Sequence, residues 1–264
     1  MKNALKSFAE IEKDLAGKRP FLFLDYDGVL TPIVARPELA VLSDEMRAIL
    51  AALAIRARVA VVSGRDLRDV RDLVGLDELV YAGSHGLDIA APGGVALQPE
   101  QGGSLTAAVA RATQSLEFAL AKIPGALIEP KRFAVAVHYR LVADDQVAAV
   151  EAIVDRVLEA IPTLTKSHGK KVFELRPRLG WDKGKAVLWL LSALKEDGAE
   201  TLPFYLGDDL TDEDAFRALR DRGVTIFVGS PARTAARYQL ADPKEVAHFL
   251  KTLMQVLDRR EARA

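Results

Sequence analysis

Asp25 and Asp27, one residue apart in Asp25-Tyr26-Asp27-Gly28-Val29-Leu30-Thr31-Pro32, are the side chains whose types and spacing most suggest chemistry. They follow Phe21-Leu22-Phe23-Leu24, an apolar run too short for a buried helix and suited to a buried strand. If extension persists through the motif, alternate residues point the same way and the two carboxylates share a face. Gly28 admits a turn with positive φ, and Pro32 stops an immediate helix. Two like charges at one strand end are costly unless a cation or a proton resolves them. Metal-assisted and acid–base chemistry are both implied.

Three further polar sets recur at corresponding places: Ser63-Gly64-Arg65, Lys183, and Asp208, Asp209 and Asp212. Carboxylate oxygens without His or Cys suit a hard cation such as Mg²⁺ better than zinc. A serine hydroxyl, amides at a helix start and a lysine make a cradle for an anion. An aspartate can attack phosphorus to form an aspartyl-phosphate, and a second can protonate the leaving oxygen and later activate water.

The elements that must position these groups follow two patterns. Short apolar runs at 21–24, 59–62, 79–81, 202–206 and 224–228 alternate with helical periodicity at 3–16, 43–53, 67–74 and from 181 onward, the C-terminal remainder also reading as helical. Strands alternating with helices predict a parallel α/β sheet, whose strand ends bind ligands. Between them, 91–94 and 101–103 read as turns or linker. A helix over about 105–122, strands at 126–129 and 133–140, a helix over 144–160 and a closing pair of short strands including 170–176 predict an antiparallel α+β unit. The expected division is a Rossmann-like core over 1–102 and 179–264, with an α+β cap inserted at 103–178.

Composition narrows the class. The chain has 264 residues, 50% hydrophobic and 28% charged, a balance that excludes disorder. A net charge of −1 gives no field for nucleic acid or an anionic membrane, so an anionic substrate needs a local basic pocket. Without cysteine there is neither disulfide, thiol nucleophile nor thiolate metal site. No signal-peptide pattern and no spanning apolar run is found, and the expectation is a soluble, cytoplasmic monomer.

DYDGVLTP, VVSGR, the lysine of DKGKA and YLGDDLTDEDAF resemble the four motifs of the haloacid dehalogenase superfamily of phosphatases. More narrowly, GSHG, EPKRFAVAVHYR, VFELRP and GDDLTDEDAF resemble the trehalose-6-phosphate phosphatase family, over about residues 20–250. The resemblance implies a Rossmann-like core with a mobile cap, and Mg²⁺-dependent hydrolysis of trehalose 6-phosphate. It implies Asp25 as nucleophile and Asp27 as general acid/base. Ser63, Gly64, Arg65 and Lys183 become phosphate ligands. Asp25, Asp27 (through its carbonyl) and Asp208 become metal ligands, with Asp209 or Asp212 acting directly or through water. Glu129, Lys131 and Glu174 would grip sugar hydroxyls, and His85 is placed with them or as a residue structuring the cap hinge.

Other side chains read as ordinary: Asp214 as a helix-start charge, Lys185 as the weaker match to the phosphate lysine, and His138 as packing on an alternating strand. Val29 stands where many members of the family have threonine, which removes a hydroxyl beside Asp27. The alternatives left open are a phosphatase for sucrose phosphate or glucosylglycerol phosphate, and a catalytically silent sugar-phosphate sensor.

Overall fold

The computed structural model describes residues 1–92, 95–97, 102–178, 180–231 and 233–262, with backbone alone for 95–97 and 102–104. In chain order the elements are β1 (Lys2–Asn3), α1 (Phe8–Asp14), β2 (Arg19–Leu24), α2 (Asp44–Ala54), β3 (Arg58–Val62), α3 (Leu67–Val74), β4 (Val80–Gly83), β5 (Asp88–Ala91) and β6 (Val95–Leu97). Then come α4 (Gly102–Leu120), β7 (Leu127–Pro130), β8 (Val135–His138), α5 (Val147–Ala160), β9 (Leu164–Gly169) and β10 (Val172–Pro177). The chain ends with α6 (Lys183–Ala193), β11 (Thr201–Gly207), α7 (Glu213–Ala218), β12 (Val224–Val228), β13 (Tyr238–Leu240) and α8 (Pro243–Glu261). Two compact units result: Met1–Leu97 with Asp182–Ala264, and Gln98–Trp181.

The first unit is built on a nine-stranded sheet ordered β1-β13-β12-β11-β2-β3-β4-β5-β6. Its pairings are parallel from β1 through β4 and antiparallel at β5 and β6. Central β2 explains the layering, because its apolar run is buried on both faces. Leu22 and Leu24 enter a cluster with α2, α3 and α8, whereas Phe21 and Phe23 enter another with α6 and α7. Gly75 ends α3 at φ +66, as a left-handed helix terminus should.

In the second unit a four-stranded antiparallel sheet, β7-β8-β10-β9, packs one face on α4 and α5 through Val135, Val137, Phe173 and Leu175. Several elements differ from expectation. β1 occupies the start of the first expected helix, and β13 lies where helix was expected; strands this short carry no readable period. β5 and β6 frame the predicted 91–94 turn, and α4 begins inside the predicted linker at Gly102. Gly93, Gly94 and Gln101 of those turns lie outside the described residues.

Candidate active site

Side-chain alternation carries Asp25 to its partners. It follows Leu24 on the face of Phe23, the face covered by α6 and α7, and its amide is tied to Leu206 O at 3.0 Å. There Lys183, the first residue of α6, places Nζ 2.9 Å from Asp25 Oδ2 and 2.7 Å from Asp212 Oδ1. All three residues are buried. Ligand oxygens of Asp25, Asp208 and Asp212 lie within 4.8 Å of one another.

Asp212 is saturated. Oδ1 accepts from Lys183 and from the Tyr205 hydroxyl at 2.7 Å, and Oδ2 accepts the Asp208 and Asp209 amides at 2.9 and 3.0 Å. Four donors fill a carboxylate's lone-pair sites, so Asp212 works as an anchor holding Lys183 and the 208–209 backbone in place. Asp209 lies outside the cluster, where its side chain accepts the Leu210 amide at 2.7 Å as a helix cap. Burial pushes the Asp25 carboxyl well above its ordinary range; Lys183 opposes this, while Asp212 and Asp208 add to it. Burial alone would lower the Lys183 ammonium, but Asp212 and Asp25 outweigh it and hold the lysine charged. Asp212, by contrast with Asp25, is lowered: burial would raise it, but Lys183 outweighs burial. Burial, then the Asp212 charge, raises Tyr205 well above a normal phenol and keeps it a donor.

With all three carboxylates ionised, one ammonium leaves two negative charges in excess inside a buried cluster, and every donor is oxygen. The residues therefore fit a hard divalent cation. Gly28 makes room for this arrangement. Its φ is +84, and a Cβ there would fall 2.1 Å from Asp208 Oδ2.

Asp27 does not share Asp25's surroundings. The strand ends at Leu24, and the chain then turns so that the Gly28 amide donates to Thr31 O and the Leu30 and Thr31 amides donate to Tyr26 O. The two carboxylates have different partners, Asp25 meeting Lys183. Asp27 instead receives Arg65 bidentately: Nε to Oδ2 at 2.7 Å and Nη2 to Oδ1 at 2.8 Å. Arg65 also donates Nη1 to Asp69 at 2.9 Å and Nη2 to Pro37 O at 2.8 Å. Burial would lower this guanidinium, but Asp27 and Asp69 outweigh it. Its carbon lies 5.2 Å from the centre of the Tyr26 ring, and burial pushes the Tyr26 phenol up to about 12. Tyr26 is buried, and its hydroxyl donates to Ala40 O at 2.7 Å. Val29 is fully buried in the apolar cluster with Leu24 and Leu42, a place suited to valine.

Ser63 lies at the end of β3, one strand from β2, and its Oγ accepts the Arg65 amide at 3.1 Å. The hydroxyl's own proton is not used in that bond. Ser84 and His85 adopt φ +49 and +57, consecutive left-handed residues that cost about 1 kcal/mol or more each. Their amides bind back to Arg65 O and Ser63 O at 2.7 and 2.9 Å, and a Cβ on Gly64 would meet His85 Cε1 at 2.8 Å. His85 is thus packed on the Ser63–Arg65 turn within the first unit. Lys185 is largely exposed beside Asp182, unlike Lys183.

The remaining predicted residues lie on the sheet of the second unit. Register places Glu129, Ala136, Glu174 and Ser167 in one row across β7, β8, β10 and β9. Ala136 separates two carboxylates. Lys131 Nζ reaches Glu174 Oε1 at 3.0 Å, and His138 Nε2 reaches Glu129 Oε2 at 2.7 Å. His138 therefore does more than pack: it stands diagonally across from Glu129 on the same face and bonds it. Tyr205 was missed altogether. Its signal was its place on the alternating face of β11, paired with Phe23 and two residues before Gly207.

Comparison with known proteins gives a consistent picture. A trehalose-phosphatase family model matches residues 23–244. An uncharacterized glycosyl hydrolase of Mycobacterium tuberculosis is 48% identical over 95% of this chain, which spans only 19% of that protein's length. The probable trehalose-phosphate phosphatase 3 of Oryza sativa subsp. japonica is 40% identical over 96% of this chain and 74% of its own. The crystal structure of a trehalose-6-phosphate phosphatase related protein superposes with a TM-score of 0.81 at 25% identity, covering 91% of this chain and 99% of that one.

Proposed function

We propose a function from one premise: the chain belongs to the trehalose-phosphatase family. The proposed reaction is hydrolysis of trehalose 6-phosphate to trehalose and inorganic phosphate, as in trehalose biosynthesis. The observation that carries it is the buried Asp25–Lys183–Asp212 triad with Asp208 beside it at the ends of β2 and β11.

Asp25 is the nucleophile. Its Oδ attacks phosphorus, the bond to the sugar oxygen breaks, and Asp27 delivers a proton to that oxygen. Water, deprotonated by Asp27, then cleaves the aspartyl-phosphate and returns Asp25. Lys183 touches the attacking carboxylate, so its third N–H is available for a phosphoryl oxygen; the Ser63 hydroxyl adds a donor. Asp25, Asp208 and the Asp27 carbonyl are the proposed ligands of Mg²⁺, with Asp212 orienting Lys183 and Asp208. Bound there, Mg²⁺ offsets the repulsion between an anionic carboxylate and an anionic phosphate.

Glu129, Lys131 and Glu174 are proposed to bind sugar hydroxyls, because charged partners make strong hydrogen bonds to them. The intact triad argues against a silent sensor. The test is phosphate release across a panel of trehalose, sucrose and glucosylglycerol phosphates, with Mg²⁺ and with chelator. Trehalose 6-phosphate is expected to be turned over fastest, and chelator to stop every substrate. Faster release from another member would reassign the substrate.

A further inference from the structure

Arg65 has a role that its place beside Ser63 does not suggest. A guanidinium binds anions through its two edges. One edge, Nε with Nη2, is taken by both oxygens of Asp27. The other, Nη1 with Nη2, is taken by Asp69 and Pro37 O. No edge is left to clasp a phosphate, and two carboxylates already more than balance the charge. One Nη1 N–H remains, but a single donor beside Asp69 cannot clasp a phosphate through an edge, whereas Lys183 touches the nucleophile itself and keeps its third N–H beyond its bonds to Asp25 and Asp212.

The pair is also asymmetric. The Arg65 side chain is 7% exposed and the Asp27 side chain 36%. The Tyr26 ring, Asp69 and Pro37 O fix the arginine independently of Asp27. Asp27 can turn away while its partner stays in place.

We propose that Arg65 is a positioning residue, a fixed dock that orients the Asp27 carboxylate, and not a ligand of the transferring phosphate. This inference rests on the proposed phosphatase reading, in which Asp27 serves the leaving oxygen. Asp27 leaves the dock to reach that oxygen and returns to it between turnovers. The fork geometry is essential to the role, and a point charge does not replace it.

The test uses the full chain with Mg²⁺ and compares R65K, R65M, D27N and D27N/R65M. Trehalose 6-phosphate and 4-nitrophenyl phosphate serve as substrates, and inorganic phosphate as product inhibitor. R65K and R65M are both expected to lower kcat on trehalose 6-phosphate by about 10–100-fold, a partial loss of the roughly 10²–10⁴-fold that acid–base assistance supplies. Inhibition by phosphate should stay within about twofold, and R65M should cost D27N less than about threefold on 4-nitrophenyl phosphate, because it acts through the missing group. A phosphate ligand gives the opposite pattern: R65K close to wild type, phosphate inhibition weakened by about tenfold, and losses that multiply. A kcat for R65K within about twofold of wild type overturns the proposal whatever the other variants do. Should R65M fail to fold, D69N supplies the second arm: a several-fold loss of kcat with unaltered phosphate inhibition is expected, and the reverse overturns the dock. If the wild-type chain releases no phosphate from either ester, the phosphatase reading fails, an outcome distinct from both patterns.

Discussion

The two units solve the same problem differently. Each places a lysine against carboxylates on a sheet, yet Lys183 is fully enclosed between Asp25 and Asp212, whereas Lys131 joins Glu174 on the sheet face away from α4 and α5. In the first unit the chain converges on the ends of parallel strands, and three elements distant in sequence (β2, α6 and the segment after β11) supply one charge cluster. In the second unit, antiparallel register alone aligns Glu129, Ala136 and Glu174. On the proposed reading, the first arrangement carries out the reaction whatever alcohol the phosphate bears, and the second, a row of side chains on one sheet face, sets substrate choice.

Asp25→Asn removes the nucleophile while preserving shape, and phosphate release from every ester should fall by at least about 10⁴-fold. Retained release would sink the assignment. Lys183→Met leaves two buried carboxylates without their cation, and denaturant unfolding should record a loss of about 3–5 kcal/mol, with activity lost as well. A loss below about 1 kcal/mol would mean that the triad is not desolvated as described.

In the second unit, Glu129→Ala or Lys131→Ala should lower kcat/KM for trehalose 6-phosphate by about 10–100-fold, the worth of one charged hydrogen bond. Hydrolysis of 4-nitrophenyl phosphate should change by less than about threefold. Equal losses on both would erase the division between the units. His138→Ala should produce the same selective pattern at about fivefold, through loss of its bond to Glu129.

The smallest effect concerns pH. Asp25's carboxyl is raised by burial, so its contribution is present below the ordinary value of 3.8 and is lost as pH rises through the higher folded value. Asp212 is lowered and behaves oppositely: its contribution is present above the ordinary value and lost only in stronger acid. Added positive charge at Asp25 therefore matters most at higher pH. The gain in Tm on adding Mg²⁺ should grow by a few degrees between pH 5.5 and pH 8. A gain that shrinks with rising pH would contradict the burial account.

Much of the first unit was legible because its strands are short, apolar and interrupted by polar ends. Phe21–Leu24 could hardly be anything but a buried strand, and the direction of Asp25 followed from it. What could not be read was the turn after Leu24. Alternation named no partner for Asp27, whose carboxylate is held by Arg65 beside the Gly28–Thr31 turn. The effect of Val29 was equally hidden, since its burial in an apolar cluster depends on residues distant in sequence. Asp209 and Asp212 were indistinguishable as letters. Only the Lys183 and Tyr205 contacts separate the anchor from the cap. His138 read as packing because strand periodicity records which face a residue takes and not the diagonal neighbour it meets there.

The most direct test of the account is to mix the Mg²⁺-loaded chain with trehalose 6-phosphate labelled on phosphorus, quench in acid within one turnover and locate the label. The account predicts a transient label on the peptide containing Asp25 in the wild type and none in Asp25→Asn. Label that passes to water without ever residing on the protein, or that resides on another residue, would contradict it.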